Sequence, residues 1–174
     1  NEKIKNSLNT NFEERYSKKW LLSSRNHPNT LNISREEARN KLGISSSSKV
    51  AIIYSHILYD TLFFNGEDLY KNYAEWFIET VKLACKNTEM IWFIKIHPSN
   101  LWRGEFNDKN QLAGKYEEIR LIEENIKKLP KHVRIIYPDS KFSPLTWLRL
   151  TDYGVTVRGT SGIELAALGK LVVT

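Results

Sequence analysis

Short apolar runs rich in β-branched residues alternate along this chain with segments of helical periodicity. The runs cover residues 49–55, 90–96 and 133–136, and a further one opens the stretch 153–174. A continuous apolar run is typical of a strand that is covered on both faces. Strands joined by helices form a parallel sheet with right-handed crossovers. The alternation therefore predicts an α/β fold, a Rossmann-like parallel sheet flanked by helices.

The segments between these runs place apolar residues three and four positions apart, which predicts helices. We expect them over residues 34–43, 68–86, 115–129 and 144–150, with a short apolar helix inside 153–174. Ser34 stands three residues before Glu37, the spacing of a capping box, and Gly43 suits the end of that helix. Pro130 is expected to end the helix over 115–129.

The first 33 residues differ from the rest of the chain. They carry a helical pattern around Phe12, Tyr16 and Trp20, followed by a loop rich in serine and asparagine. We interpret 1–33 as a connector or lead-in helix and 34–174 as the Rossmann-like domain. The chain does not begin with methionine and stops directly after a strand. It is thus expected to be a piece of a longer protein whose C-terminal part is truncated.

Length and composition indicate one globular domain. The 174 residues are 41% hydrophobic, enough for a sizeable core, and no apolar run approaches the roughly 20 residues of a membrane helix. Cys85 is the single cysteine, so the chain forms no internal disulfide and a buried, inert thiol is expected. These features predict a cytoplasmic protein with at most peripheral association at the inner face of the membrane.

The net charge of +6 is concentrated at the start of the chain. Residues 1–50 hold ten of the 26 Lys and Arg and five of the 20 Asp and Glu. The remaining residues therefore carry 16 basic against 15 acidic side chains and are almost neutral. A basic nucleic-acid-binding face is not expected.

Polar residues follow each predicted strand. The exits carry Ser55-His56, His97-Pro98, Tyr137-Pro138-Asp139 and Arg158-Gly159-Thr160-Ser161. In parallel sheets ligands bind beyond the carboxyl ends of the strands, so these loops are expected to meet at one edge. Each also has a purely structural explanation: a local hydrogen bond for a histidine, a strand end for a proline, a surface ion pair for Arg158. Their coincidence at one edge favours a site.

The loop 158–162 is the strongest candidate for binding an anion. Gly159 and Gly162 allow a sharp turn, and the helix that follows would present its N–H groups beside the hydroxyls of Thr160 and Ser161. Such a helix N-terminus suits phosphate. Ser161 and Glu164 also have capping-box spacing, in which they would satisfy the helix's own donors. Both interpretations are compatible with the sequence.

The residue types at this edge suit phosphate better than a metal ion. The chain has no His, Cys and Glu grouping with zinc spacing and no Asp-x-Asp pair. It also lacks a Walker lysine loop, a Gly-x-Gly-x-x-Gly motif and a Gly-x-Ser-x-Gly elbow. We therefore expect no metal and no bound cofactor, and we disfavour nucleotide hydrolysis, dinucleotide redox chemistry and acyl transfer.

An ordered set of motifs resembles one family. Ile94-Lys-Ile-His-Pro98 is followed by Asp152-Tyr-Gly-Val-Thr-Val-Arg-Gly-Thr-Ser-Gly-Ile-Glu164 and by Leu168-Gly-Lys-Leu-Val-Val-Thr174. Together with residues 55–60 and 64–68, they resemble the capsule polysaccharide and surface-carbohydrate biosynthesis proteins, bacterial glycosyltransferases of GT-B architecture. The likeness spans roughly residues 33–174. Leu171 stands where a proline is common in that family.

The resemblance implies the C-terminal, nucleotide-sugar-binding half of such an enzyme, with the acceptor domain before residue 1. It assigns donor phosphate contacts to His97, Thr160 and Ser161, and a ribose contact to Glu164. Pro98, Gly159 and Gly162 complete the implied binding motifs. The partners would be a nucleotide-sugar donor, which is a substrate rather than a cofactor, and a glycan or glycolipid acceptor.

The mechanism we expect is glycosyl transfer without a metal ion. His97 and Arg158 would stabilise negative charge on the leaving phosphate together with the helix N-terminus. The base that deprotonates the acceptor is expected on the preceding domain, and His56 and Asp60 are further candidates. Three alternatives stay open: a teichoic-acid-type polyol-phosphate transferase, a sugar-nucleotide epimerase, and a binding module without turnover.

Overall fold

The computed structural model describes residues 6, 7, 10, 30–58, 69–97 and 116–174. Within these residues, strands and helices alternate. The strands are β1 (Lys49–Tyr54), β2 (Met90–Lys95), β3 (Val133–Ile136), β4 (Tyr153–Val155) and β5 (Leu171–Val173). The helices are α1 (Arg35–Leu42), α2 (Tyr73–Lys86), α3 (Glu117–Ile126), α4 (Pro144–Leu150) and α5 (Thr160–Ala167).

The five strands form one parallel sheet in the order β3-β2-β1-β4-β5. The order reverses between β1 and β4, the arrangement in which doubly wound folds form a crevice at the carboxyl ends of the strands. The predicted Rossmann-like parallel sheet is confirmed.

Helices cover both faces of the sheet because the strand side chains alternate between two apolar clusters. Ile52 of β1 and Phe93 of β2 pack on one face with side chains of α1, α4 and α5. Ile53 and Ile94, one residue further along each strand, pack on the other face with α2 and α3. Burial of both faces explains why the strands read as continuous apolar runs.

A charged contact fastens α1 to the amino end of the sheet. Arg35 donates to both carboxylate oxygens of Asp152, at 2.8 and 2.9 Å, and to the main-chain oxygens of Arg149 and Leu150 at the end of α4. Asp152 also accepts the main-chain N–H of Val50 at 2.9 Å. This network lies at the strand entries, on the side of the sheet opposite the candidate site.

Several predicted boundaries are confirmed, among them β3, α4 and the capping of α1 by Ser34 and Gly43. Helix α2 starts at Tyr73 rather than near residue 68, because the Asn72 side chain accepts the N–H of Glu75 and caps the helix there. Leu69, expected on its apolar face, is 98% exposed.

Two further boundaries differ from the sequence-based expectation. Helix α3 ends at Ile126, four residues before Pro130. Lys127, the residue that follows the helix, has a positive φ of 65°. Strand β4 ends at Val155, so Val157, expected within the strand, belongs to the loop. In both cases the main chain leaves the regular structure before the apolar pattern of the sequence ends.

Some sequence-based expectations fall outside the described residues. These include most of the lead-in 1–33 and the motif residues 64–68. Cys85 is partly rather than fully buried, and burial raises the pKa of its thiol. Within the described ranges, every helix is too short or too polar to cross a bilayer.

Candidate functional site

The strand exits lie together at one edge of the sheet. Tyr54 is in register with Lys95, and Ile53 with Val155, so β1, β2 and β4 end within about one residue of each other. Strand β1 lies between β2 and β4, and neighbouring strands are about 4.8 Å apart. The exits that carry His97 and Thr156 therefore flank the exit that carries Ser55.

The N-terminus of α5 is not capped by a side chain. Its N-cap is Gly159, in an extended conformation (φ −90°, ψ 147°), and α5 begins at Thr160. The capping box of Ser161 and Glu164 considered from the sequence does not form, since Ser161 already lies inside the first turn. Gly159 supplies no side-chain acceptor for the first N–H groups of the helix, and the N–H of Gly162 donates to the main-chain oxygen of Gly159 at 3.0 Å. The N–H groups of Thr160 and Ser161 are therefore the ones that suit an anion.

Gly162 lets α5 pack closely against the sheet edge. A Cβ at this position would lie 3.1 Å from Cγ2 of Thr156, closer than an ordinary contact, and 3.7 Å from Cγ1 of Val172. The missing side chain lets the first turn of α5 lie against the exits of β4 and β5. This contact sets where the helix N-terminus stands at the sheet edge.

His97 is attached to the exit of β1 through a side chain. Its main-chain N–H donates to Oγ of Ser55 at 3.0 Å. The same Oγ lies 3.0 Å from Oε1 of Glu118, in the first turn of α3, and 3.0 Å from the main-chain oxygen of Lys95. Ser55 is 5% exposed and Glu118 is fully buried. Three elements thus converge on one buried hydroxyl beneath His97.

His56 is held by its neighbours. Its ring stacks on Tyr73, with centroids 4.3 Å apart and an interplanar angle of 33°. Its Nδ1 lies 3.1 Å from the main-chain oxygen of Ile57, a contact that Nδ1 makes as a donor. In the neutral ring Nε2 is then the basic nitrogen. The candidates Asp60 and Pro98 lie outside the described residues.

Arg158 combines an unusual main chain with an exposed side chain. Its φ of 46° lies in the left-handed region, which is rare for residues other than glycine. It lines a groove of about 600 Å³ between α2 and the ends of β4 and β5. The groove wall is mainly apolar and includes Trp76, Trp92 and Val157. Arg158 is therefore the candidate residue that connects the loop 158–162 with the α2 face of the sheet.

Glu164 lies on the other face, in an electrostatic group with two residues of the central strands. It is 6% exposed. Burial lowers the pKa of Lys95 to about 8, and the charge of Glu164 opposes this shift. Burial raises the pKa of Tyr54, a hydrogen bond to Thr151 opposes that rise, and the charge of Glu164 adds to it. These side chains form a polar layer below the edge, in which Tyr54 and Glu164 are buried and Lys95 is partly exposed.

Sequence reasoning missed the roles of Glu118 and Lys95. Glu118 stands four residues before the buried Ile122, so it occupies the apolar stripe of α3, where a carboxylate is unexpected. Lys95 is a charged residue inside an apolar run. In both cases the sequence places a charged residue at a position where the periodic pattern predicts an apolar side chain, and this departure could have identified them.

The described residues at the edge supply hydrogen-bond donors, imidazoles and a guanidinium. No group of three or more His, Cys, Asp or Glu side chains in the described ranges has the geometry of a metal site. The arrangement can bind an anion through N–H groups at α5 and positive charge at Arg158.

Strand order, parallel register and helices on both faces define a Rossmann-like α/β protein. No family model matches the chain. No curated protein matches it either. Among solved structures, the chain is similar to KpsC of Thermosulfurimonas dismutans, a beta Kdo 2,4 transferase, with 19% identity and a TM-score of 0.43. The match covers 74% of this chain and 34% of that one, so the chain spans about a third of its length.

Proposed function

We propose that this chain is the nucleotide-sugar-binding half of a bacterial glycosyltransferase that builds capsule or other surface polysaccharide. The observation that carries the proposal is the uncapped N-terminus of α5, which opens at the edge where the exits of β1 and β2 also end. The ordered motifs of residues 94–98 and 152–164, which resemble those of capsule glycosyltransferases, supply the substrate class. Donor phosphate would bind at Thr160, Ser161 and His97.

The chemical step is a displacement at the anomeric carbon of the donor sugar. An acceptor hydroxyl forms the new C–O bond while the bond to the nucleotide phosphate breaks and its electron pair stays on the phosphate oxygen. The hydroxyl proton passes to a base. N–H donors at α5 and the side chains of His97 and Arg158 stabilise the charge that develops on the phosphate, an effect that is strongest where water is excluded.

The base and the acceptor site belong to the remainder of the enzyme in this proposal. Residues 1–33 connect that remainder to the nucleotide-binding half, which acts in the cytoplasm at the inner face of the membrane. The chain alone is expected to bind nucleotide and not to turn over. Among the described side chains, His56, with Nε2 as its basic nitrogen, is a further candidate for that base.

The first experiment titrates the chain with CMP-, CDP- and UDP-linked donors by calorimetry. Thr160→Pro removes one N–H donor at the first helical position, where proline is compatible with the helix and where Gly159 already has the extended conformation that precedes proline. We expect binding of one donor class, weakened about tenfold by this change, as for loss of a hydrogen bond to a charged group.

Thr160→Ala is the matched control, since it removes the hydroxyl and keeps the N–H. A donor that binds wild-type and Thr160→Pro chains equally well would contradict phosphate binding at α5. Absence of binding by every donor tested would favour a module that has lost nucleotide binding. In the full-length protein, near wild-type turnover by His97→Ala would exclude His97 from the mechanism.

A further inference from the structure

The contact beneath His97 departs from the regular ladder of the parallel sheet. The N–H of Ser55 donates to the main-chain oxygen of Lys95 at 3.0 Å. If the ladder continued, the N–H of His97 would next donate to the main-chain oxygen of Ser55. Its acceptor is instead the Ser55 side chain, at 3.0 Å. The position of His97 therefore depends on a hydroxyl, which a substitution can remove.

We assign the hydrogen of that hydroxyl to Glu118, which is one of two acceptors that lie 3.0 Å from Oγ. The main-chain oxygen of Lys95 already accepts the N–H of Ser55, whereas Oε1 of Glu118 lies 3.0 Å from Oγ. A carboxylate is also the stronger acceptor. The bonds then run in one direction, from the N–H of His97 to Oγ of Ser55 and from its O–H to Glu118. Bonds in such a chain strengthen one another, more so when buried.

We propose that Ser55 and Glu118 are positioning residues that hold the main chain of His97 where its imidazole meets the donor phosphate. This inference rests on the proposed function. Neither residue touches the donor in this account, because Glu118 is fully buried and Ser55 nearly so. Glu118 also stands in the first turn of α3, where the helix dipole favours a carboxylate against the cost of its burial.

A double-mutant cycle tests the inference on the full chain, with CMP, CDP and UDP as probes. Ser55→Ala removes both hydrogen bonds with little change in volume. We expect it to weaken binding of the best probe about tenfold in the wild-type background and less than about twofold in the His97→Ala background. The effects of two substitutions on binding are not additive when both act through one contact. Glu118→Gln keeps an acceptor oxygen and should bind within about threefold of wild type, whereas Glu118→Leu should resemble Ser55→Ala.

Amide hydrogen exchange provides a second readout. The N–H of His97 is expected to exchange about tenfold faster in Ser55→Ala, as for the loss of one hydrogen bond. The matched control is Thr151→Val, which removes another buried hydroxyl with two hydrogen bonds, to Tyr54 and to the main chain of Trp147. It should change neither the exchange of His97 nor the binding of the probe.

The outcomes separate the two proposals. If wild type binds a probe but Ser55→Ala and His97→Ala weaken it additively, or if exchange at His97 is unchanged in Ser55→Ala, the positioning role is wrong and nucleotide binding stands. If wild type binds none of the three probes, the proposed function fails and the positioning role fails with it.

Discussion

Arg35 and Asp152 form an ion pair, through both carboxylate oxygens of Asp152, that joins α1 to the entry of β4. Both carboxylate oxygens accept from Nη2, at 2.8 and 2.9 Å, although the two residues are 117 positions apart in the chain. Their side chains are only 27% and 19% exposed. Because the pair is largely buried and Arg35 also donates to main-chain oxygens of α4, it contributes more than an isolated surface pair.

We expect Asp152→Asn to lower the free energy of unfolding at pH 7 by about 2 kcal/mol, since it weakens hydrogen bonds to a charged group. Burial alone would raise the pKa of Asp152, but hydrogen bonds from Val50 and Arg35 lower it below 3.8. Its contribution is therefore complete above pH 3.8 and is lost as the pH falls through the folded-state value. Urea unfolding between pH 2.5 and 7 should show the two proteins converging at low pH.

The control for this prediction is Glu37→Gln. Glu37 pairs with Lys41 at 3.7 Å, and both side chains are about half exposed. We expect a change below about 0.5 kcal/mol, as for other exposed pairs. A similar loss in both variants would mean that the network of Asp152 has no special role.

Gly154 in β4 and Leu165 in α5 pack so closely that a side chain at 154 has no room. A Cβ on Gly154 would lie 2.3 Å from Cδ1 of Leu165, which is fully buried. Gly154→Ala should destabilise the protein by about 1–3 kcal/mol through overpacking. Because Leu165→Ala opens that space, the two losses should be less than additive in urea unfolding. Gly43→Ala, strained by its φ of 63° rather than by a neighbour, should be additive with Leu165→Ala.

The lowered pKa of Lys95 predicts that this residue destabilises the protein at neutral pH, whereas Asp152 stabilises it there. Burial lowers it to about 8 from 10.5, so charged Lys95 destabilises the folded state below pH 8. That penalty disappears as the pH rises from 8 to 10.5, and this group makes stability increase over that window. Lys95→Met should be more stable than wild type at pH 7, with an advantage that shrinks towards pH 10.5.

NMR titration of the Lys95 side chain measures the pKa directly. Glu164→Gln should lower it further, because the charge of Glu164 favours the protonated lysine. Lys86→Met, at an exposed position of α2, serves as the control for loss of a lysine. An unchanged pKa in Glu164→Gln would show that the two charges do not interact.

Substitutions of Arg158 can distinguish main-chain strain from a role of its side chain in binding. At a φ of 46°, glycine is comfortable and alanine is not. Arg158→Gly should therefore be more stable than Arg158→Ala by about 1 kcal/mol in urea unfolding, and both lose the guanidinium. If Arg158 binds donor phosphate, the two variants should lose affinity equally. Equal stability of the two variants would contradict the left-handed conformation.

The sequence predicted the fold well because both faces of the sheet are covered. Every residue of β1 after Lys49 is buried, which produces the uninterrupted apolar run that marks a parallel strand. It predicted caps where a short side chain meets the nearest N–H groups, as at Ser34. It failed in part at α5, which was predicted as a short apolar helix but has Glu164 buried and Ile163 75% exposed.

The candidate site was predicted only as a set of loops. Parallel topology brings the exits to one edge, so His97 and the loop 158–162 could be associated from their positions after predicted strands. What holds them could not be predicted, since the contact between Ser55 and Glu118 joins residues 63 positions apart. No periodic pattern records a contact between a loop and the buried side of a distant helix.

At Gly159, the residue that would best stabilise the start of α5 is also one that would block the proposed phosphate site. Compared with glycine, serine or aspartate at a helix start adds a few tenths of a kcal/mol of stability, and residue 159 already has the extended dihedral angles they would need. Aspartate there would fill the anion's place with a carboxylate of its own, once Oγ1 of Thr156 turned aside. If phosphate binds at α5 as proposed, a selection for heat resistance alone should enrich this substitution, and the survivors should be folded proteins that have lost phosphate binding.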